Sequence, residues 1–201
     1  DHARRSGSSH VLLLDQDSVP RPRMVEHLLE GHGRPIRIAA TGPLWQDARS
    51  GELGKFVVRF GSPRTPGPGE VLKVQFLISS GSLIALDAAA EIGPFDNNLF
   101  IEHVDTDWAL RAEARGFALY GVADAVLEHR IGDAVLSLPW SQQRAYLNSP
   151  ERTYYLVRNS LRLWRRPYAT WRWRLFDFRR LLKLLVLYLV FMPGRAERTK
   201  M

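Results

Sequence analysis

Two carboxylates, one residue apart, end the apolar run of HVLLLDQDSVP, residues 10–20. Side chains at the carboxyl end of a buried strand face the crevice where open α/β sheets bind ligands. Asp15 and Asp17 could therefore share a divalent cation, and hard oxygen ligands favour Mg²⁺ or Mn²⁺, which also bind phosphate. The alternative is a polar turn in which Asp17 or Ser18 caps the next helix.

A second acidic cluster, formed by Glu102, Asp105 and Asp107, occurs in FIEHVDTDW at the predicted start of a helix. Acidic residues in a first helical turn can serve only to cap the helix and to complement its dipole. The same position keeps a carboxylate ionised, so one of the three could instead act as a general base.

His129 ends an apolar segment in AVLEHRIGD. A single histidine is most often structural or solvated. A neutral imidazole can nevertheless complete a metal shell that carboxylates begin, so His129 is a candidate third ligand.

Small residues surround Gly81 in ISSGSLIAL, residues 78–86. The simpler interpretation is a hairpin turn. The functional interpretation is a surface on which a sugar ring and phosphates approach the backbone closely, because Ser80, Gly81 and Ser82 leave room there.

The C-terminal segment WRRPYATWRWRLFDFRRLLKLLVLYLVFMP, residues 164–193, mixes arginine with aromatic residues and then becomes apolar. Its apolar run is too short for a membrane span and suits an interfacial helix on anionic lipid. A helix packed on the body of the protein and an interface with a second copy of the chain are the alternatives. Nucleic acid is not expected as a partner, because the rest of the chain is net acidic.

Charge is distributed unevenly along the 201 residues. Residues 1–151 carry 15 Lys and Arg against 19 Asp and Glu, whereas residues 152–201 carry 13 against 2. This asymmetry predicts a body with a basic tail that meets an anionic partner. The absence of cysteine excludes disulfides, thiolate metal sites and a cysteine nucleophile.

These residues need a layered scaffold, and the patterns predict an α/β fold. His10–Leu14 is expected to be a fully buried strand, followed by a helix that begins near Pro20 and Pro22. That helix should bury Val25, Leu28 and Leu29 and end at Gly31. A strand over 36–41, a helix over 104–116, two short strands after it and helices from residue 151 complete the prediction.

Five segments in order resemble bacterial rhamnosyltransferases of glycosyltransferase family 2, across about residues 10 to 165. They are VLLLDQDSVP, ISSGSLI, GPFDNNLFIEHVDTDWALRAEARGFALYGV, LEHRIGD and RTYYLVRNSLRLWRR. The resemblance implies a GT-A fold, a three-layer α/β sandwich, over residues 1–150, followed by an amphipathic, helical and membrane-associating region over 151–201. It also implies that this chain lacks the N-terminal strand–helix–strand unit that holds much of the nucleotide.

The resemblance implies a metal-dependent, inverting transferase with a Mg²⁺ or Mn²⁺ cofactor. Asp15 and Asp17 match the Asp-x-Asp metal motif, Asp105 matches the catalytic base, and His129 matches a metal ligand of related galactofuranosyltransferases. Asp107 and Glu102 remain alternatives for the base. Positions that would contact donor or acceptor are Gln16, Ser80, Gly81, Ser82, Trp108 and Arg130.

The implied reaction moves L-rhamnose from dTDP-rhamnose to a cell-surface polysaccharide or a polyprenyl-diphosphate-linked glycan, at the cytoplasmic face of the plasma membrane. Galactofuranose or a hexosamine is the alternative donor sugar. An inactive membrane-binding fragment that needs its missing segment is the alternative function, and a homo-oligomer is a further candidate assembly.

Overall fold

The computed structural model of the protein describes residues 2–34, 36–59, 62–129, 134–137, 144–147 and 149–191. The helices among them are α1 (His2–Arg5), α2 (Met24–His32), α3 (Leu86–Ile92), α4 (Val104–Ala114), α5 (Pro150–Trp164) and α6 (Trp171–Phe191). The strands are β1 (His10–Leu12), β2 (Val19–Pro20), β3 (Ile38–Asp47), β4 (Phe56–Arg59), β5 (Ser62–Arg64), β6 (Val71–Val74), β7 (Leu83–Ala85), β8 (Ala118–His129), β9 (Ala134–Ser137) and β10 (Arg144–Leu147). In the described part of the chain no helix has the length and apolar character that crossing a membrane requires.

The chain forms two compact units. The sheet unit comprises Asp1–Asp96 and Val104–Ile131, and the helical unit comprises Asn97–His103 and Gly132–Met201. The domain division at residue 150 stays a prediction. The compact units differ from it in grouping Asn97–His103 and residues 132–150 with the C-terminal helices.

The sheet unit is built on a mixed sheet with strand order β1–β7–β3–β8–β2, and β6 also pairs with β8. Strand β7 is antiparallel to both β1 and β3, whereas β3 and β8 pair in parallel. Strands β1, β3 and β8 therefore run in the same direction, and their carboxyl ends meet at one edge of the sheet. This is the edge at which open α/β sheets bind ligands.

Helices cover both faces of this sheet. On one face α2 packs Met24 and Leu28 against a core that includes Leu83. On the other face α3 and α4 pack against a core that includes Ile84 and Trp108. The neighbouring residues Leu83 and Ile84 serve opposite cores, as the two-residue period of a strand requires. The layered arrangement confirms the predicted α/β class and is compatible with a GT-A fold, which itself stays a prediction.

The structure corrects the expected first strand and the start of the first long helix. β1 is partly exposed rather than fully buried, because it lies at the end of the described strand order with β7 as its neighbour. Pro20 does not start a helix, because it belongs to β2 and pairs with Leu127 of β8. The helix begins four residues later, at Met24, and Ser18 is too far upstream to cap it.

The buried face of α2 also differs from the prediction. Val25 and Leu29 are exposed, and the buried positions include Leu28 and Gly31. Gly31 does not end the helix, which continues to His32. A Cβ at residue 31 would lie 2.8 Å from a β8 side chain, so glycine is needed here for close contact between helix and sheet.

The remaining elements agree in type and differ in length. The strand expected over 36–41 is β3, which extends to Asp47. The two short strands expected after α4 form one strand, β8, whose pairing with β3 shifts register between Pro43 and Leu44. The helix expected over 104–116 is α4, and Gly116 follows it with φ +77°, as predicted for a helix end.

The helical unit contains the two helices expected from residue 151 onward. Ser149 caps α5 by accepting the Arg152 N–H, and Pro150 occupies the first turn. The Thr153 hydroxyl lies 3.0 Å from the Tyr188 hydroxyl, which joins the start of α5 to the later part of α6.

Candidate active site

Three predicted metal ligands, from two distant segments, come together at the carboxyl edge of the sheet. One ligand atom each of Asp15, Asp17 and His129 lies within 4.8 Å of the others. Both carboxylates are exposed and the imidazole is half-buried. We refer to these three residues as the edge cluster.

The pairing of β2 with β8 brings His129 to the two carboxylates. Val19 pairs with Glu128 and Pro20 pairs with Leu127. Continuing this antiparallel register by one residue places Ser18 opposite His129, and directly opposed side chains are close enough to interact. The two residues of β2 therefore set the position of the preceding Asp15–Asp17 segment relative to β8.

The small-residue turn fixes the other side of the same segment. The Leu13 N–H donates to the Ser82 carbonyl at 3.0 Å, and the Gly81 N–H donates to the Leu13 carbonyl at 2.7 Å. Gly81 has φ +81°, and a Cβ there would lie 2.5 Å from Pro43. Only glycine meets both requirements without strain, so the turn can hold the chain that leads to Asp15.

Two buried hydroxyls connect the turn to the histidine. The Ser18 Oγ lies 2.8 Å from His129 Nδ1 and 2.8 Å from the Ser80 Oγ, and the Asp15 N–H donates to the Ser80 Oγ at 3.1 Å. Sequence reasoning treated Ser18 only as a possible helix cap. Its place directly after the Asp-x-Asp motif was the available signal, but the register with His129 could not be read from the sequence.

The donor set of the edge cluster fits a divalent cation. Two oxygens and one imidazole nitrogen suit Mn²⁺ or Mg²⁺, and the exposure of the carboxylates leaves room for further oxygen ligands. Ligand atoms bound to one ion at about 2.1 Å lie up to about 4 Å apart, so small side-chain rotations would complete the site. Because Nδ1 of His129 faces Ser18, Nε2 is the ring nitrogen left for an ion.

A further carboxylate at this edge, that of Asp47, is used by the fold. Asp47 pairs in register with His129 on the neighbouring strand, but its side chain is 1% exposed and accepts hydrogen bonds from Arg49 and Ser50. Burial acts to raise the pKa of Asp47, and the bonds from Arg49 and Ser50 outweigh it, so the pKa is lowered. These bonds close the turn after β3.

Asp105 lies in the first turn of α4 and lines a recess of the sheet unit. The recess is small, because the space it offers is about 20 Å³, room for about one water molecule. Its other lining residues are Leu13, Ala40, Leu77, Ser79, Ser82, Ile84, Phe95, Trp108 and Leu119. Asp105 is half-buried, and its Oδ1 accepts the Thr106 N–H at 2.7 Å, so the helix start orients the carboxylate.

The other two acidic candidates have structural partners. Asp107 is fully buried, and its Oδ2 accepts a bond of 2.9 Å from Arg111, which also binds the end of α3 through the Ile92 carbonyl. In the helical unit Glu102 accepts a bond of 2.9 Å from Arg152. Asp105 differs from them in lining the recess, and the assignment of the general base among the three carboxylates stays a prediction.

The predicted donor and acceptor positions differ in exposure. Gln16 is exposed beside the edge cluster, whereas Ser80, Gly81 and Ser82 are buried in the turn. Ser82 also lines the recess of Asp105. The contacts of these residues with a sugar nucleotide stay predictions.

Two further positions complete that set. Trp108 contributes to the wall of the recess, but its indole N–H donates to the Gly93 carbonyl at 3.1 Å and is not available to a ligand. Arg130 lies outside the described residues.

The helical unit holds a second group of ionisable side chains, which we call the buried network: His103, Ser160, Asp177 and Arg180. Arg180 donates to Asp177 at 2.7 Å and to His103 Nε2 at 2.8 Å, and Ser160 lies 2.9 Å from the same nitrogen. Burial first, and then the Arg180 charge, lower the pKa of His103 to about 4, while Asp177 opposes this. The imidazole is therefore neutral at pH 7.

No protein-family model matches the chain. Its sheet, edge cluster and recess are compatible with an α/β glycosyltransferase. Among curated proteins it is similar to the dTDP-rhamnosyl transferase RfbF of Shigella flexneri, with 27% identity over 183 residues. The alignment covers 84% of this chain and 57% of RfbF, so the chain spans little more than half the length of this relative. The similarity indicates a rhamnosyltransferase-like glycosyltransferase.

Proposed function

We propose that this protein is an inverting glycosyltransferase that moves L-rhamnose from dTDP-rhamnose to a glycan acceptor. The observation that carries the proposal is the edge cluster, in which Asp15, Asp17 and His129 offer ligand atoms within 4.8 Å at the carboxyl edge of the sheet. The name of the relative supports a dTDP-rhamnose donor. The GT-A fold, family 2 membership and the polysaccharide or lipid-linked acceptor belong to this proposal.

The edge cluster would hold a Mg²⁺ or Mn²⁺ ion, which when bound would offset the charge of the donor diphosphate. The two carboxylates supply negative charge without an ion-pair partner among the described residues, so a cation is the expected complement. Gln16 lies between them and is exposed, which suits a contact with the donor.

Asp105 would act as the base. Its carboxylate would accept the proton of the acceptor hydroxyl as that oxygen bonds to the anomeric carbon. The bond from the anomeric carbon to the diphosphate oxygen would break in the same displacement, dTDP would leave, and the anomeric configuration would invert. The apolar residues beside Asp105 would limit water around the reacting hydroxyl.

The test is rhamnosyl transfer by the full-length gene product carrying Asp105→Asn. Loss of the base should lower turnover by about 10²–10⁴-fold, while thermal stability and Mn²⁺ affinity stay those of the wild type. The matched control is Asp107→Asn, which should lower stability because Arg111 loses an ionised partner. A near-normal rate in the Asp105 variant would overturn the assignment of the base and direct attention to Asp107 or Glu102.

The helical unit carries a specific surface that favours a second role, attachment to the cytoplasmic face of the plasma membrane. One face of α6 presents an apolar stripe whose members recur three or four residues apart and are 41–68% exposed. The stripe consists of Trp171, Leu175, Phe178, Leu182 and Leu185. Exposed cations flank it at Arg172, Arg174, Arg179 and Lys183.

Charge selects anionic lipid as the occupant of this stripe. Residues 149–191 carry ten Lys and Arg against two acidic residues, and one of these, Asp177, is buried. A second copy would bring like charges together, whereas an anionic bilayer would receive the apolar side chains and neutralise the cations. This placement would bring the transferase to an acceptor carried on lipid.

Sedimentation with vesicles tests the surface. The protein should bind phosphatidylglycerol–phosphatidylcholine vesicles, and the double variant Arg179→Glu, Lys183→Glu should lose most of that binding. The double variant Arg5→Glu, Arg115→Glu, at exposed positions of the sheet unit, is the matched charge control and should change it little. Absence of binding, or equal loss in the control, would contradict the proposal, as would dimerisation through the stripe.

A further inference from the structure

Ser18 lies between His129, a candidate metal ligand, and the buried hydroxyl of Ser80, and it has no role in the proposed reaction. Its side chain is 8% exposed and that of Ser80 is 2% exposed. Residues of this kind in a turn could face solvent, but here both hydroxyls point inward. Buried hydroxyls are retained where their hydrogen bonds are satisfied.

The hydrogen bonds form a chain that crosses the end of the sheet. It runs from His129 Nδ1 to the Ser18 Oγ at 2.8 Å, and from there to the Ser80 Oγ at 2.8 Å. The Asp15 N–H enters the chain at Ser80, at 3.1 Å. These hydrogen bonds thus connect two members of the edge cluster, Asp15 and His129, through the buried residues Ser18 and Ser80.

The hydrogen bonds among His129, Ser18 and Ser80 can run in two directions. In one direction His129 Nδ1–H donates to Ser18, the Ser18 hydroxyl donates to Ser80, and Nε2 has a lone pair for a cation. In the other direction Ser80 donates to Ser18, Ser18 donates to Nδ1, and Nε2 carries the proton. A histidine that binds metal through one nitrogen donates its other N–H to a neighbouring acceptor, which is the first arrangement.

We propose that Ser18, supported by Ser80, is a positioning residue that holds His129 with Nδ1–H on the serine and Nε2 toward the two carboxylates. This inference rests on the proposed function, because it concerns the same metal site. The serine would act through the histidine and would not contact substrate. The two-residue strand β2 gives it this position, since its register places Ser18 opposite His129.

Mn²⁺ affinity, followed by electron paramagnetic resonance, is the first readout. Ser18→Ala should weaken Mn²⁺ binding by about 10–100-fold, the usual effect of losing an outer partner of a ligating histidine. Ser18→Thr keeps the hydroxyl and should restore most of the affinity. Unfolding midpoints of all variants are measured beside the affinities, so that loss of binding through unfolding is recognised.

The second readout is the ¹⁵N spectrum of the His129 imidazole in the metal-free protein, because an ion bound at Nε2 would itself fix the Nδ1–H tautomer. The wild type and Ser18→Thr should show the Nδ1–H tautomer, and Ser18→Ala should show a mixture or a shifted Nε2 signal. A merely structural role would leave this tautomer unchanged.

The outcomes separate this inference from the proposed function. Wild-type binding of Mn²⁺ that is lost in Asp17→Ala but unchanged in Ser18→Ala would overturn the role of Ser18 alone. Absence of saturable Mn²⁺ binding in the wild type would overturn the metal site itself, and the role of Ser18 with it. Weakened binding and an altered tautomer in Ser18→Ala, both restored by threonine, would support the inference.

Discussion

The edge cluster and the buried network use the same side-chain types in opposite surroundings. The edge cluster has two exposed carboxylates and a half-buried histidine. In the buried network the carboxylate of Asp177 and the imidazole of His103 are almost fully enclosed, and Arg180 binds both. A buried charge must be compensated by a partner within the protein. Exposed charges are solvated by water and remain accessible to a ligand.

The difference teaches how to separate structural from functional carboxylates in this chain. Asp177 accepts bonds from Arg180 and from the Trp164 indole N–H, and it helps to hold α6 in the helical unit. Asp107 accepts a bond from Arg111 in the same manner. Carboxylates with a fixed arginine partner in the core therefore belong to the fold, and the exposed pair at the sheet edge is the candidate for chemistry.

The comparison is tested most strongly by removing one carboxylate from each group. Asp177→Ala should lower the free energy of unfolding by about 1–3 kcal/mol, because the Trp164 indole and Arg180 lose their buried acceptor. Asp17→Ala should change it by less than about 0.5 kcal/mol in metal-free buffer, because the side chain is exposed. Urea unfolding followed by circular dichroism measures both, and equal effects would mean that burial does not distinguish the two groups.

The pH dependence of stability should report the burial of His103. The pKa of His103 is about 4 in the folded protein against an ordinary value of 6.5, so the unfolded state binds the proton first as the pH falls. Above about pH 6.5 His103 is neutral in both states and does not reduce the free energy of unfolding. Between about pH 6.5 and pH 4, protonation of the unfolded state should lower that free energy by about 3 kcal/mol.

The control for this pH effect is H103Q, whose neutral side chain can still accept from Arg180. Its unfolding free energy should fall less steeply over the same interval. Identical slopes in wild type and H103Q would show that His103 is not the buried titrating group.

The support of the edge cluster by the turn can be tested at Gly81. Gly81→Ala should lower the free energy of unfolding by about 1–3 kcal/mol, since φ is +81° and the new Cβ would meet Pro43. Mn²⁺ affinity should fall as well, because the turn fixes the chain before Asp15. Gly69→Ala is the matched control, at φ +71° with nothing near its Cβ, and should cost less.

The sequence predicted the elements whose signals are local. A short apolar run identified β3, an N-cap with an Ala-rich interior and Gly116 identified α4, and a helical pattern identified the C-terminal helices. The layered class followed from the order of strand, helix and strand at the start of the chain. The position of Pro20 in β2 was missed, because its pairing with Leu127 joins segments more than 100 residues apart. For the same reason the exposed edge position of β1 was not predicted.

The candidate site was predictable where a motif carried it and unpredictable where packing did. Asp15 and Asp17 are separated by a single residue in the sequence, and His129 was selected through the family resemblance. Ser18 was missed because its partner is reached only through the β2–β8 register. The burial of Asp107 was also hidden, since its spacing from Asp105 does not show which carboxylate turns toward Arg111.

Calorimetric titration of the full-length gene product with dTDP-rhamnose tests most directly whether the edge cluster binds the donor through a metal ion. UDP-galactofuranose and UDP-GlcNAc serve as competing donors, and each titration is run with Mn²⁺ and with EDTA. We expect saturable binding of dTDP-rhamnose that requires Mn²⁺ and is lost in Asp17→Ala. Binding of this donor that persists in EDTA and in Asp17→Ala would contradict the role of the edge cluster.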